Sequence, residues 1–161
     1  MMTPRAVQLS ITNIGFLAAW MGASLLVAAV VAPAAFAVLP TRTLAGALVG
    51  RVLPVLFWSG MTLGVVIALL GRHLAAGRFG TGAAVLLAGA CAVAQIGIAP
   101  RIEALRVAVG GPVDALGVAD PRRMAFGRLH GVSVLLMGVG MVAAFVLIVI
   151  LARHLSSRSI A

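Results

Sequence analysis

Residues 134–152, VLLMGVGMVAAFVLIVILA, run without a single charged side chain. Few folds are open to such a stretch. An α-helix of about 20 apolar residues crosses the hydrocarbon of a bilayer, and there every backbone N–H and C=O must be satisfied inside the protein. Three more apolar stretches occupy 11–38, 44–70 and 81–99, and the last one extends over 129–152. Only 9% of the residues are charged and 63% are hydrophobic, with a mean hydropathy of +1.20. A soluble domain carries roughly a quarter charged residues, so this chain has too few to cover a water-facing surface. The reading is all-α: an integral membrane four-helix up-down bundle, one transmembrane domain over 1–161.

The connections are short and polar. Arg101 to Val109 continue the third helix to about residue 109, because Gly110, Gly111 and Pro112 are the first strong breakers after Pro100. Pro121 then precedes the fourth helix. The first stretch has the Arg5 start and the Ala35-Phe36-Ala37 pattern of a secretion signal, but its apolar core is nearly twice a signal's usual length of about 7–15 residues. It is expected to stay as a span.

Net charge is +9 and every basic residue is an arginine. These arginines sit at the ends of apolar runs, where they anchor helices and meet lipid phosphates. Membrane lipids are therefore the expected partners, and nucleic acid is not. An even number of spans puts both termini on one side, with Arg5, Arg72, Arg78, Arg153 and Arg158. The other side holds Arg42, Arg51, Arg101, Arg106, Arg122, Arg123, Arg128 and all three acids. Raw counting makes that second side cytoplasmic. Several of its arginines sit in helix ends for a purpose other than topology, however, and the 72–78 loop is cleanly basic. The expectation is a plasma (inner) membrane protein with both termini cytoplasmic.

Consecutive antiparallel helices bring the unusual residues to one membrane face. Pro33 comes late in the first span, Arg51 and Pro54 early in the second, Pro100 and Arg101 at the end of the third, and Arg128 and His130 at the start of the fourth. Each proline removes a backbone donor, and arginine is a good donor to the carbonyls so freed. One reading of Arg51 and Arg101 is thus helix-end satisfaction and headgroup anchoring. The other is a polar, ligand-binding pocket built from Arg51, Arg101, Glu103, Arg106, Arg128, His130 and Ser133. Phe126, His130, Ser133, Met137 and Met141 share one stripe of the fourth helix, and Glu103 and Arg106 can pair one turn apart. Four arginines against one acid predict a positive pocket, suited to a lipid phosphate or small carboxylate. Gln95 faces the interior; Thr62, Asn13 and Ser24 are expected to line the bundle more deeply. The pairs Gly46–Gly50, Gly60–Gly64 and Gly127–Gly131 fit the pattern that lets membrane helices approach closely, within the bundle or, as an alternative, at a dimer face.

Several chemistries are disfavoured. His130 and His154 lie about 36 Å apart along one helix, so they cannot share a haem iron. His73 belongs to the loop at the His154 end. A His130–methionine haem, or copper on Met137, Met141, Cys91 and His130, stays open but unspecific. Cys91 in an apolar run reads as a small hydrophobe. No nucleophile–base pair, phosphate loop, dinucleotide fingerprint or paired carboxylates appear, so neither enzyme activity nor a cofactor is expected. Three functions remain: binding or transport of a small anion or lipid headgroup, an accessory subunit packing on membrane partners or on itself, and a haem or copper redox protein.

The same segments resemble a known family. LPTRTLAGALVGRVLPVLFWSG (39–60), IAPRIEALR (98–106) and FGRLHGVSVLLMGVG (126–140) look like the membrane domain typified by transmembrane protein 205. The resemblance is carried by Leu39, Pro40, Gly46, Leu53, Pro54, Pro100, Arg101, Phe126, His130, Gly131 and Ser133, with matching order and spacing over almost the whole chain. It implies a four-helix membrane protein and no particular reaction. The chain departs from the pattern at Leu56, where an aromatic polar residue is expected, and at Ala94 (beside Gln95) and Met137, where amides are. The resemblance therefore implies a less polar pocket than the family's.

Overall fold

The computed structural model describes residues 4–71, 74 and 77–156. Arg72, His73 and Arg158 lie outside the described residues. Four long helices carry the fold: α1 (Pro4–Val38), α2 (Arg42–Leu70), α3 (Gly77–Val109) and α4 (Pro121–Ser156). All four are long and apolar enough to cross a membrane. Each helix packs on its neighbours in sequence, and α1 closes the ring on α4, giving the expected four-helix bundle.

The helix ends follow from local chemistry. Thr41 is extended and its hydroxyl accepts from the Leu44 N–H at 3.2 Å, capping α2. Gly110 adopts φ 64°, a left-handed conformation that costs glycine little, and its N–H bonds back to Arg106 and Val107, closing α3 where expected. Asp120 accepts from the Arg122 N–H at 2.8 Å and Pro121 fills the first helical position. That cap explains why α4 starts eight residues before its apolar run. Hydrogen bonds from Arg122 hold the half-buried Asp120 carboxyl below its ordinary 3.8.

Two helices contain a π turn, Val27–Val31 in α1 and Val93–Ile98 in α3. Ala32 N–H reaches back five residues to Val27, and Ala99 N–H to Ala94. Pro33 and Pro100 follow directly. A proline ring clashes with the carbonyl four residues earlier, and the wider turn makes room for it. Pro54 has no such turn and sits inside α2.

The bundle is packed unevenly. Its half nearest the termini is close-packed around Leu17, Ile67, Leu87, Leu147 and Leu151, all fully buried. Glycine makes this possible on α2. A Cβ on Gly64 would lie 2.7 Å from the Ala84 carbonyl and the Ala88 nitrogen of α3. One on Gly60 would lie 2.7 Å from Trp20 and from the Cys91 sulfur. Trp20 fills the space this leaves, donates its indole N–H to the Leu56 carbonyl at 2.8 Å, and approaches Gly140 of α4. Gly60 and Gly64 are thus used inside the bundle and are not a dimer face. Large apolar side chains such as Phe16, Leu69, Leu135 and Phe145 point outward, as lipid as solvent requires.

Candidate functional site

In the other half the helices enclose a cavity of about 710 Å³. It is bounded by Phe36 near the end of α1, the first half of α2, the second half of α3, the α3–α4 connection and the start of α4. Pro54, Ala99 and His130 all line it, so the proline-bearing ends and the start of the last helix do meet in one layer. Apolar walls come from Val49, Leu53, Phe57 and Ile102. Polar groups are sorted by depth. Arg42, Glu103, Arg106 and Asp114 stand at the end near the helix termini, with His130 further in and Gln95 and Ser133 deeper still.

Arg106 is the best-placed charge. Gly46 and Gly50 form a smooth seat on α2, where an added Cβ would lie 3.4 and 3.3 Å from its guanidinium nitrogens. From that seat Arg106 donates a long bond of 3.4 Å to the Gly46 carbonyl and lies 5.6 Å over the Phe126 ring. Its contact with Glu103 is 3.7 Å, between half-exposed and exposed side chains, and such a pair contributes little. The guanidinium therefore keeps donors for a further partner. The pair Gly46–Gly50, read from sequence as helix packing, seats a side chain instead.

The residues expected to converge divide into two groups. Glu103, Arg106, His130 and Ser133 line the cavity. Arg51, Arg101 and Arg128 are exposed and not among its lining residues. Arg101 donates to the Gly97 carbonyl at 2.6 Å, one turn back beside the π segment; this is the helix-end satisfaction considered for it. Arg51 and Arg128 fall off the inward stripes. On α4, Phe126, His130 and Ser133 face the cavity while Arg128, two positions from His130, turns roughly 160° away. Thr62 is exposed and bonds to Trp58, and Asn13 is buried but bonds to Leu9 of its own helix. Met137 and Cys91 belong to the apolar core, and Met141 packs against it. Gly127 and Gly131 have no neighbour within 4 Å of a Cβ position and lie open on α4.

Two charged cavity residues were not anticipated. Arg42 begins α2, where its position reads as an interface anchor. Asp114 sits in the short helical turn Val113–Ala115, and Arg123 holds this connection by donating to the Leu116 carbonyl at 2.7 Å. With them the charge balance changes. Two arginines face two carboxylates, so the cavity is not the strongly positive pocket that four arginines against one acid predicted. His130 stacks parallel to Phe126 with ring centroids 6.4 Å apart. The Gln95 Oε1 is buried and has no hydrogen-bond partner. So is the Ser24 hydroxyl, away from the cavity.

A family model described as Domain of unknown function (DUF4149) matches residues 15–109, more than half of the chain. The match takes in most of α1, all of α2 and all of α3, and therefore the Gly46–Gly50 seat, Gln95 and Arg106. No curated protein matches the chain. No solved structure matches it either.

Proposed function

The chain belongs to the DUF4149 family, and we propose that it is a multi-pass membrane protein that binds an anionic amphiphile in the cavity between α2, α3 and α4. The observation that carries this is the form of the site: about 710 Å³ with apolar walls and Arg42 and Arg106 at its outer end. Ligand pockets run from roughly 300 to 1,000 Å³, and a bare phosphate or small carboxylate would leave most of this one unfilled. With the charges balanced, affinity comes from the apolar walls as much as from the arginines. Arg106 and Arg42 take the anionic group, and Val49, Leu53 and Ile102 take the chain.

The role is binding, or handing a lipid-like molecule on, rather than catalysis. The setting is an inner membrane with both termini cytoplasmic. The likeness to transmembrane protein 205 enters the same proposal through Phe126, His130, Gly131 and Ser133, which lie beyond the matched residues. A second reading, an accessory subunit or homo-oligomer, draws on the open Gly127–Gly131 face of α4. Loss of a stoichiometric partner or of self-association on Gly131→Leu would favour it.

Native mass spectrometry of the protein released from detergent micelles tests the main reading with dodecyl phosphate and inorganic phosphate. Dodecyl phosphate should bind with one-to-one stoichiometry and inorganic phosphate should not compete. Arg106→Gln should weaken binding about tenfold, the scale of one charge-assisted hydrogen bond. Equal competition by inorganic phosphate would make this a small-anion site. Absence of binding by either probe would overturn the reading.

A further inference from the structure

We propose that the cavity's ligand carries a hydroxyl at its far end, held by the Gln95 carboxamide at the floor. This rests on the reading of the cavity as an amphiphile site and narrows its substrate class to two-ended amphiphiles, anionic at one end and hydroxylated at the other.

The floor is polar where a site for a simple acyl chain would be apolar. Gln95 and Ser133 line it from facing helices. The Gln95 Oε1 is shielded and unpartnered, although other polar side chains in the bundle's helices, such as Asn13, Ser59 and Thr62, bond to carbonyls of their own helix. A buried amide without a partner is costly, and a methyl terminus placed against it would leave that cost in full. A hydroxyl relieves it once the half-buried side chain turns its carboxamide oxygen into the cavity: the hydroxyl proton is then donated to Oε1 and its oxygen accepts from the amide nitrogen. Ser133 can donate its own hydroxyl proton to the ligand hydroxyl's remaining lone pair.

The spacing gives the ligand's length. Gln95, Ala99, Ile102 and Arg106 recur at intervals of four, three and four on α3 and all line the cavity, so they form one continuous stripe. Gln95 precedes Arg106 by eleven residues, about 16 Å along the axis at 1.5 Å per residue. An extended chain of about a dozen carbons spans such a distance. Between the two polar stations the walls are mostly apolar, at Val49, Leu53 and Ile102, with His130 the polar side chain on the way; they suit a saturated or isoprenoid chain. The π turn Val93–Ile98 contains Gln95, and π turns recur at functional sites.

The test compares dodecyl phosphate with ω-hydroxydodecyl phosphate on the full-length protein, with bound fractions read by native mass spectrometry. The hydroxylated probe should bind about tenfold more tightly, as expected for pairing an otherwise unsatisfied buried amide. Gln95→Leu should remove the difference while retaining dodecyl phosphate, because replacing an unpartnered polar group with an apolar one leaves the fold unharmed. Equal affinity of the two probes for the unaltered protein, or a hydroxyl preference that survives Gln95→Leu, overturns the inference. Dodecanol against dodecane separates this inference from the rim, since neither carries an anionic group and only the alcohol carries a hydroxyl. If neither phosphate binds but dodecanol is still preferred, the arginine-bearing end is wrong and the floor stands. Should dodecanol show no preference over dodecane, the floor is wrong whatever the phosphates do.

Discussion

Gly64→Ala is the sharpest test of how this bundle is held together. The new methyl would meet the Ala84 carbonyl oxygen and the Ala88 nitrogen at 2.7 Å, and the Ala88 methyl at 3.0 Å. These are mostly backbone atoms of α3 and cannot rotate aside. Ordinary contact begins at 3.4 Å, so α2 and α3 must separate by about 0.7 Å, the difference between 3.4 and 2.7 Å. A gap of this size forfeits a quarter to a half of each contact's dispersion energy. In lipid no hydrophobic effect draws the helices back together, and packing is the main force between them. Overpacking costs about 1–3 kcal/mol, and a clash against backbone belongs at the upper end. We expect a loss of about 3 kcal/mol, read as a lowered midpoint when the purified protein is unfolded by titrating dodecyl sulfate into mixed micelles. Trp20 fluorescence is a suitable probe because the indole is buried beside this interface. Gly22→Ala, which has nothing within 4 Å, is the control and should stay within about 0.5 kcal/mol. If Gly64→Ala unfolds at the unaltered midpoint, α2 and α3 do not approach as described.

Trp20→Phe keeps the aromatic volume roughly but loses the indole N–H bond to Leu56; the same titration, followed by circular dichroism because the fluorophore is gone, should show a loss of about 1 kcal/mol. Gly50→Ala places a methyl 3.3 Å from the flexible end of Arg106, so stability should change by less than about 0.5 kcal/mol while dodecyl phosphate binding weakens several-fold; unchanged binding would separate the Gly46–Gly50 seat from the site. The Asp120 carboxyl, depressed by its hydrogen bonds from Arg122, supports the α4 cap above its unfolded value of 3.8 and loses that support as the pH falls through its lower folded value. The Arg122 amide resonance should therefore titrate with a midpoint below 3.8 and stop titrating in Asp120→Asn; a midpoint at or above 3.8 would refute the cap.

Much of the fold was legible because apolar length and helix breakers act locally. Four runs gave four helices, and Gly110 ended α3 at Val109 as its left-handed preference suggests. Pro121 marked the start of α4, while hydropathy marked only 129–152, because hydropathy shows where lipid begins and the Asp120–Pro121 cap shows where the helix begins. For the site, inward stripes were the useful signal. Phe126, His130 and Ser133 share a face, and that same periodicity already argues against Arg128, two positions from His130. Arg51 was grouped by depth alone, while Gly46, Val49, Gly50 and Leu53 define the inward face of α2 and leave it outside. Asp114 was hidden for another reason. It enters the cavity where Arg123 holds the α3–α4 connection by donating to the Asp114 and Leu116 carbonyls, contacts between residues nine and seven apart that no periodicity reports. The π turns left no clear mark in the sequence beyond the prolines that follow them.

Those turns bear on how such chains can differ in length. A π turn holds one residue more than the α-helical closure it replaces. Excising a single residue from 93–98 would let the strand of hydrogen bonds close normally, with Gly77–Ala92 and Ala99–Val109 keeping their present rotational phases about the axis. Gaps of one position between kindred proteins are therefore expected to collect at 27–31 and 93–98, where they are absorbed silently, and to be rare elsewhere in the spans, where each would rotate half a helix by about 100°.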